Sequence, residues 1–190
     1  MKKIALTALA VMAVVGMFAV QPADAKKVEQ DPVVAPIDMP MNDEIQQVNG
    51  VSKSTNQETR RLSNNLAEAT KVMIKKNWKT IYIKAVPTGD KDAVRFYYKD
   101  NRGQVYNGQV IRNTGLSKGK YMAGSLHQTE ALQELVNHLQ QNDQEVPSSI
   151  DIIITQEGYR IKTIFNYNED TSNLPAYLQQ YEQQNFPSMK

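Results

Sequence analysis

His127 and His138 stand eleven positions apart. On one helix that spacing returns both rings to nearly the same face, but about 16 Å apart along the axis. One metal ion cannot span that distance, and the chain has no His-Glu-x-x-His string, so both read as surface or boundary residues. Gly115-Leu116-Ser117-Lys118-Gly119-Lys120 looks like a phosphate-binding loop. It is one residue short between the glycines, and Tyr121 stands where Ser or Thr is required. No helix is expected to begin at the right distance after it. Ser125, in Ala-Gly-Ser-Leu, lacks the second glycine of a nucleophile elbow. Glu169 and Asp170 are adjacent and point apart in a strand or loop, whereas a paired-carboxylate hydrolase needs two acids facing one site across roughly 5–10 Å. The chain has no cysteine, which excludes a thiolate metal site, a cysteine nucleophile, a disulfide framework and a lipid-bearing cysteine. These residues supply no catalytic set, no cofactor site and no metal site. A hydrolase would need a pocket of convergent polar groups that the sequence does not reveal.

The residues that could do recognition chemistry are Tyr82, Lys84, Arg95, Tyr97, Arg160 and Lys162. Strand alternation projects all of them from one side of a sheet, opposite the helices. Tyrosine rings interleaved with cations offer rigid contact area and orientation, the mixture of a protein interface. Single-strand nucleic-acid platforms use it too, and tyrosine also occurs on plainly solvated sheet faces.

The elements that must position them follow from periodicity. Over residues 55–77, Leu62, Leu66, Ala69 and Met73 mark one apolar helical face, with Ser54 or Thr55 as cap. Strands follow at 79–86, 92–99 and 104–111, the last interrupted by Gly108, with a turn at Pro87–Lys91 and a hairpin at Asp100–Gly103. The glycines of 112–125 predict an exposed loop. A helix over 127–142 carries the stripe Ala131, Leu132, Leu135, Val136 and Leu139. Ile150, Ile152 and Ile154 alternate in a fourth strand. Tyr159, Ile161, Thr163, Phe165 and Tyr167 alternate in a fifth, and a glutamine-rich short helix runs from Leu174 to Gln184. In the fourth strand Ile152 faces the core, whereas Asp151 points away, so that its loss should cost little. The order is helix, three strands, helix, two strands, short helix. It predicts an α+β domain: one antiparallel sheet of about five strands with two main helices on its apolar face.

Ahead of this domain, at 55–190, the chain reads as an export signal and a tether. Lys2 and Lys3 precede the apolar run Ile4–Val20, and Ala23-Asp24-Ala25 offers small residues to a signal peptidase, which places residues 1–25 as a signal peptide. An uncleaved membrane anchor is the alternative, and either places the domain outside the cytoplasm, in the periplasm. Residues 26–54 carry Pro32, Pro36 and Pro40 with several acids, an extended tether or a docking peptide. Removal of Lys2, Lys3 and Asp24 takes the formal charge from +2 to +1. That balance gives no field to steer nucleic acid or an anionic membrane, so neither is an expected partner, and export weighs further against nucleic acid.

Several strings resemble a known family. Asn77-Trp78-Lys79-Thr80-Ile81-Tyr82-Ile83 and Ala93-Val94-Arg95-Phe96-Tyr97-Tyr98-Lys99 resemble two strands of the YezG-like immunity family. Gln141–Ile150 is similar to its run from the second helix into a strand, and Phe165-Asn166-Tyr167-Asn168-Glu169-Asp170 to its ending. The resemblance spans about residues 58–170. It implies a small α+β antitoxin, not an enzyme, that binds and neutralises a cognate toxin. That family is commonly cytoplasmic and acidic, unlike this chain, so a toxin acting in the periplasm is the better expectation. An envelope-interaction domain without a toxin partner is the alternative. The resemblance carries no contact residues over.

Overall fold

A computed structural model describes residues 53–89 and 92–189. The export segment lies outside them, as does the tether up to its last two positions. Lys53 and Ser54 already belong to a helix.

Helix α1 spans Lys53–Lys71, and strands β1 (Thr80–Val86), β2 (Ala93–Lys99) and β3 (Val105–Asn107) follow. A short helix α2 (Ile111–Thr114) leads into the 24-residue helix α3 (Lys118–Gln141). Strands β4 (Ser149–Thr155) and β5 (Arg160–Asn166) and helix α4 (Leu174–Asn185) complete the order. The strands form one five-stranded antiparallel sheet in the order β3-β2-β1-β4-β5. The expected α+β arrangement is therefore the one observed.

Register follows the period-2 pattern. Ile83 of β1 lies between Phe96 and Ile152, and Ile81 between Tyr98 and Ile154. These side chains are buried with Leu62 and Leu66 of α1, Met73 just beyond it, and Leu132, Leu135 and Leu139 of α3. The two helices run antiparallel. Near one end His138 Nε2 lies 3.3 Å from the Thr55 carbonyl. Toward the other, Gln128 donates to Thr70 across a buried 2.8 Å contact. The β4–β5 hairpin is tied to α1 by Lys71 Nζ, which donates to the Tyr159 hydroxyl at 2.7 Å, and by the Tyr159–Glu68 hydrogen bond. In the β2–β3 hairpin, Gly103 takes φ +82°, and the Asp100 carboxylate accepts from the Arg102 and Gln104 amides.

Three boundaries differ most from expectation. Helix α1 ends at Lys71 rather than 77, because Met73 and Ile74 fold beneath it into the core and the Lys75 amide turns to the Thr114 carbonyl at 2.8 Å. Strand β3 stops at Asn107. The Gly108 amide makes one more bond to Phe96, and then Asn107 Oδ1 captures the Gln109 amide and turns the chain into α2. Helix α3 begins at Lys118, inside what reads as a loop. Gly124 lies within it because a Cβ there would come 2.9 Å from Met73 Cγ, so the glycine lets α3 approach the turn that follows α1. The expectation that no helix follows Gly115–Lys120 closely is thereby corrected.

Gly108 and Gly119 differ sharply in surroundings. A Cβ at Gly108 would overlap the fully buried Phe96 ring, while one at Gly119 meets nothing within 4 Å. Gly108→Ala should therefore destabilise the protein by about 1–3 kcal/mol through overpacking. Gly119→Ala should stabilise it by up to about 1 kcal/mol through helix propensity. Urea unfolding of both variants checks the opposite signs.

Candidate partner-binding surface

Alternation places Tyr82, Lys84, Arg95, Tyr97, Arg160 and Lys162 on one side of the sheet, as the cross-strand pairs Tyr82–Tyr97 and Lys84–Arg95 show directly. That side is not solvated. Helix α4 lies across it, with Asn173 Oδ1 accepting the Ala176 amide at 3.3 Å at its start and Pro175 in its first turn. Its Leu178 and Tyr181, and Phe186 just after it, are buried. The Tyr97 and Phe186 rings are 4.4 Å apart, those of Tyr82 and Phe186 5.5 Å, and the Tyr97 hydroxyl donates to Glu182 at 2.8 Å. The expectation of an open face is corrected: Tyr97, Lys84 and Tyr82 are 0%, 2% and 4% exposed. Aromatic side chains at Tyr82 and Tyr97 bury more apolar area against a helix than any solvated face would reward.

The remaining three residues are less deeply covered. Arg95 is half-buried and donates to Gln109 at 3.0 Å, beside a cleft lined by Leu174, Pro175 and Glu182. Arg160 is exposed and Lys162 half-buried, both on β5. Strands β2 and β5 are separated by β1 and β4, about 14 Å across the sheet. The structure therefore gathers the predicted residues on one face but does not present them as one surface.

Beneath α4 sits a polar cluster that strand patterning alone did not reveal. Lys84 Nζ donates to Ser149 Oγ at 2.8 Å and to Asp151 Oδ2 at 3.0 Å, and lies 3.6 Å from Glu169. The Asn166 amide donates to Asp151 at 2.6 Å, the Tyr177 hydroxyl to Glu169 at 2.6 Å, and Ser149 also bonds Glu169. The Tyr181 ring lies 5.0 Å from the ammonium. Asp151, expected to be dispensable, is 6% exposed and holds a buried ion pair.

Serine beside lysine is a nucleophile–base pairing in some hydrolases, but this pair cannot work as one. Burial alone would lower the Lys84 pKa, yet the Asp151 carboxylate and its hydrogen bonds raise it, so the amine stays protonated. Ser149 is wholly buried and out of reach of any substrate. Burial likewise opposes ionisation of Glu169, but Ser149, Tyr177 and Lys84 hold its carboxyl below the ordinary value. The cluster is a set of charges that satisfy one another. Among the described residues no group of His, Asp and Glu could hold a metal ion. His127 is exposed, with Glu130 3.7 Å away. Among the described residues no helix is long and apolar enough to cross a membrane.

A family model described as "Immunity protein YezG-like" matches residues 59–187. The chain belongs to the YezG-like immunity protein family. The match runs from α1 through α4, further than residue 170, so the helix that seals the sheet is part of the family's domain. No curated protein matches the chain. Membership indicates an antitoxin role exercised by binding a toxin partner, and YezG-like proteins are generally non-catalytic.

Two outcomes follow for the sealed cluster. Asp151→Ala strands the Lys84 ammonium in the interior and should cost about 3–5 kcal/mol, whereas Lys84→Met with Asp151→Leu should recover most of that loss. Thermal melts of the single and double variants check this. The second outcome concerns alkaline pH. The Lys84 pKa is raised on folding, and Tyr98 is pushed up to about 12 by burial, then by Tyr106 and Asp100. Both groups contribute stability that is complete below their unfolded pKa values, about 10. It is lost as pH rises through the higher folded values. Urea midpoints measured at successive pH values should stay level to about pH 10 and fall beyond it.

Proposed function

We propose that this chain is an exported immunity protein that neutralises a cognate antibacterial toxin in the periplasm by stoichiometric binding. The observation that carries the reading is the family match across residues 59–187, the whole of the helix–sheet–helix body. The site chemistry agrees with it. The Ser149–Lys84 pair is sealed within the domain. The periplasmic element rests on Lys2, Lys3, the apolar run to Val20 and the Ala23-Asp24-Ala25 cleavage pattern. Blocking a toxin by occupancy needs only complementary shape and slow release.

The test is protection. A cognate toxin, identified by pull-down with this chain as bait, is directed to the periplasm, with and without this chain. Full-length chain should restore growth, and the chain lacking residues 1–25 should not. Equal protection by the truncated chain would contradict the location, and no protection by the full chain would contradict the immunity role.

A further inference from the structure

The chain carries no carboxylate between Glu68 and Asp90, and none between Asp100 and Glu130. The fold brings parts of these two acid-free stretches together at one end of the helical layer. Lys76 Nζ donates to the Arg112 carbonyl at 2.9 Å, the Lys75 amide bonds Thr114, and Gly115 lies against the Lys75 side chain. Helix α3 opens directly afterwards with Lys118 and Lys120. Lys75, Lys76, Arg112, Lys118 and Lys120 are all exposed. Among the described residues none of them is in an ion pair, while Arg61, Lys71 and Lys84 each are. With a net charge of only +2 over the whole chain, this is a local concentration of cations.

Folding does not account for it. Lys118 and Lys120 occupy the first turn of α3, where the helix dipole disfavours cations and no acid offsets them. Ser117 stands at the cap position without making a side-chain cap bond. Gly119 weakens the helix, yet nothing among the described residues needs the space, since a Cβ there meets none of their atoms within 4 Å. Local choices that oppose the local structure mark places shaped by something other than folding. An apolar stripe starts at the same point: Met122 and Leu126 follow Lys118 at helical i, i+4 spacing and are 61% and 62% exposed.

We propose that this end of the α1–α3 layer docks an acidic, amphipathic segment of the partner toxin. Its carboxylates meet Lys75, Lys76, Arg112, Lys118 and Lys120. Its apolar side chains seat on Met122 and Leu126, and bare Gly119 admits the partner's backbone. The inference rests on the antitoxin reading and adds the surface and the partner's charge. An anionic lipid surface would attract the same cations. It has no use for a shape-matched gap at Gly119, however, and two apolar side chains give little to insert. A nucleic-acid strand would need exposed rings for stacking, and Tyr121, the aromatic residue at the start of α3, is half-buried.

The test measures binding of the full mature chain to the purified toxin captured with it, at about 50 and 300 mM salt, where screening differs strongly. Lys75→Glu/Lys76→Glu/Lys118→Glu/Lys120→Glu should lower affinity by about 10- to 100-fold at low salt and flatten the salt dependence. Gly119→Leu should melt no lower than the native chain yet bind more weakly, which separates docking from folding. Asp143→Asn/Glu145→Gln, exposed in the loop at the other end of α3, should leave affinity unchanged. Unchanged affinity and salt slope in the charge-reversed variant would overturn the inference while leaving the antitoxin reading intact. Failure of the native chain to bind would overturn the reading itself, and the inference with it. Vesicles of phosphatidylcholine with phosphatidylglycerol are the remaining arm. If the reversed variant loses vesicle binding but keeps full toxin affinity, the surface is a lipid contact and the proposal is wrong.

Discussion

The central strands of this sheet are buried on both faces, and one of those faces carries a lysine. That constraint organises the rest of the domain. An ammonium at Lys84 with 2% exposure is tolerable only with a counter-charge and filled hydrogen bonds. Asp151 supplies the charge from the neighbouring strand, Ser149 and Asn166 supply hydrogen bonds, Glu169 arrives with the segment that leads into α4, and Tyr177 with α4 itself. Helix α4 therefore does more than end the chain. It brings Leu178, Tyr181 and Phe186 over Tyr82 and Tyr97, and it shuts water away from the charges those rings surround.

The consequence for function is one of elimination and relocation. Tyrosines and cations on alternating strand positions have the composition of a recognition surface, but here the tyrosines are packing residues and Lys84 is an internal charge. A partner meeting the folded domain finds Arg95 half-buried beside α4 and Arg160 exposed on β5, three strand spacings away. The helical layer offers more continuous exposed chemistry. Its end near Lys75 and Lys118 is basic, and the groove between α1 and α3 is lined by Glu68, Glu130, Glu134 and Val72. Such a polarised surface on a nearly neutral chain favours orientation of a charged partner over indiscriminate attraction.

Much of this architecture was legible in the sequence, because strand alternation is a strict physical period. Ile81, Ile83, Phe96, Tyr98, Ile152 and Ile154 share the helix-facing side, and the recognition residues share the other, as the period requires. Alternation cannot say whether a polar-looking face meets water or another element. The signal for α4's role lay in its own spacing: Leu174, Leu178 and Tyr181 repeat the i, i+4, i+7 rhythm that marks α1, within a helix whose glutamines mask it. Val86, Ile153 and Ile164 on the supposedly wet face pointed the same way. The start of α3 was illegible for a different reason. Gly115, Gly119 and Gly124 spell a loop locally, and only contact between Gly124 and Met73, distant in sequence, explains one of them.

Lysine acylation of the native chain, read residue by residue by mass spectrometry, is the most direct measurement of the sealed face. With α4 closed over the sheet, Lys75, Lys118 and Lys120 should react within the first exposure to a water-soluble acetylating reagent. Lys84 should stay unmodified until urea unfolds the domain. Modification of Lys84 at the rate of the exposed lysines, under conditions where the domain remains folded, would contradict the seal and return Tyr82, Lys84 and Tyr97 to the surface.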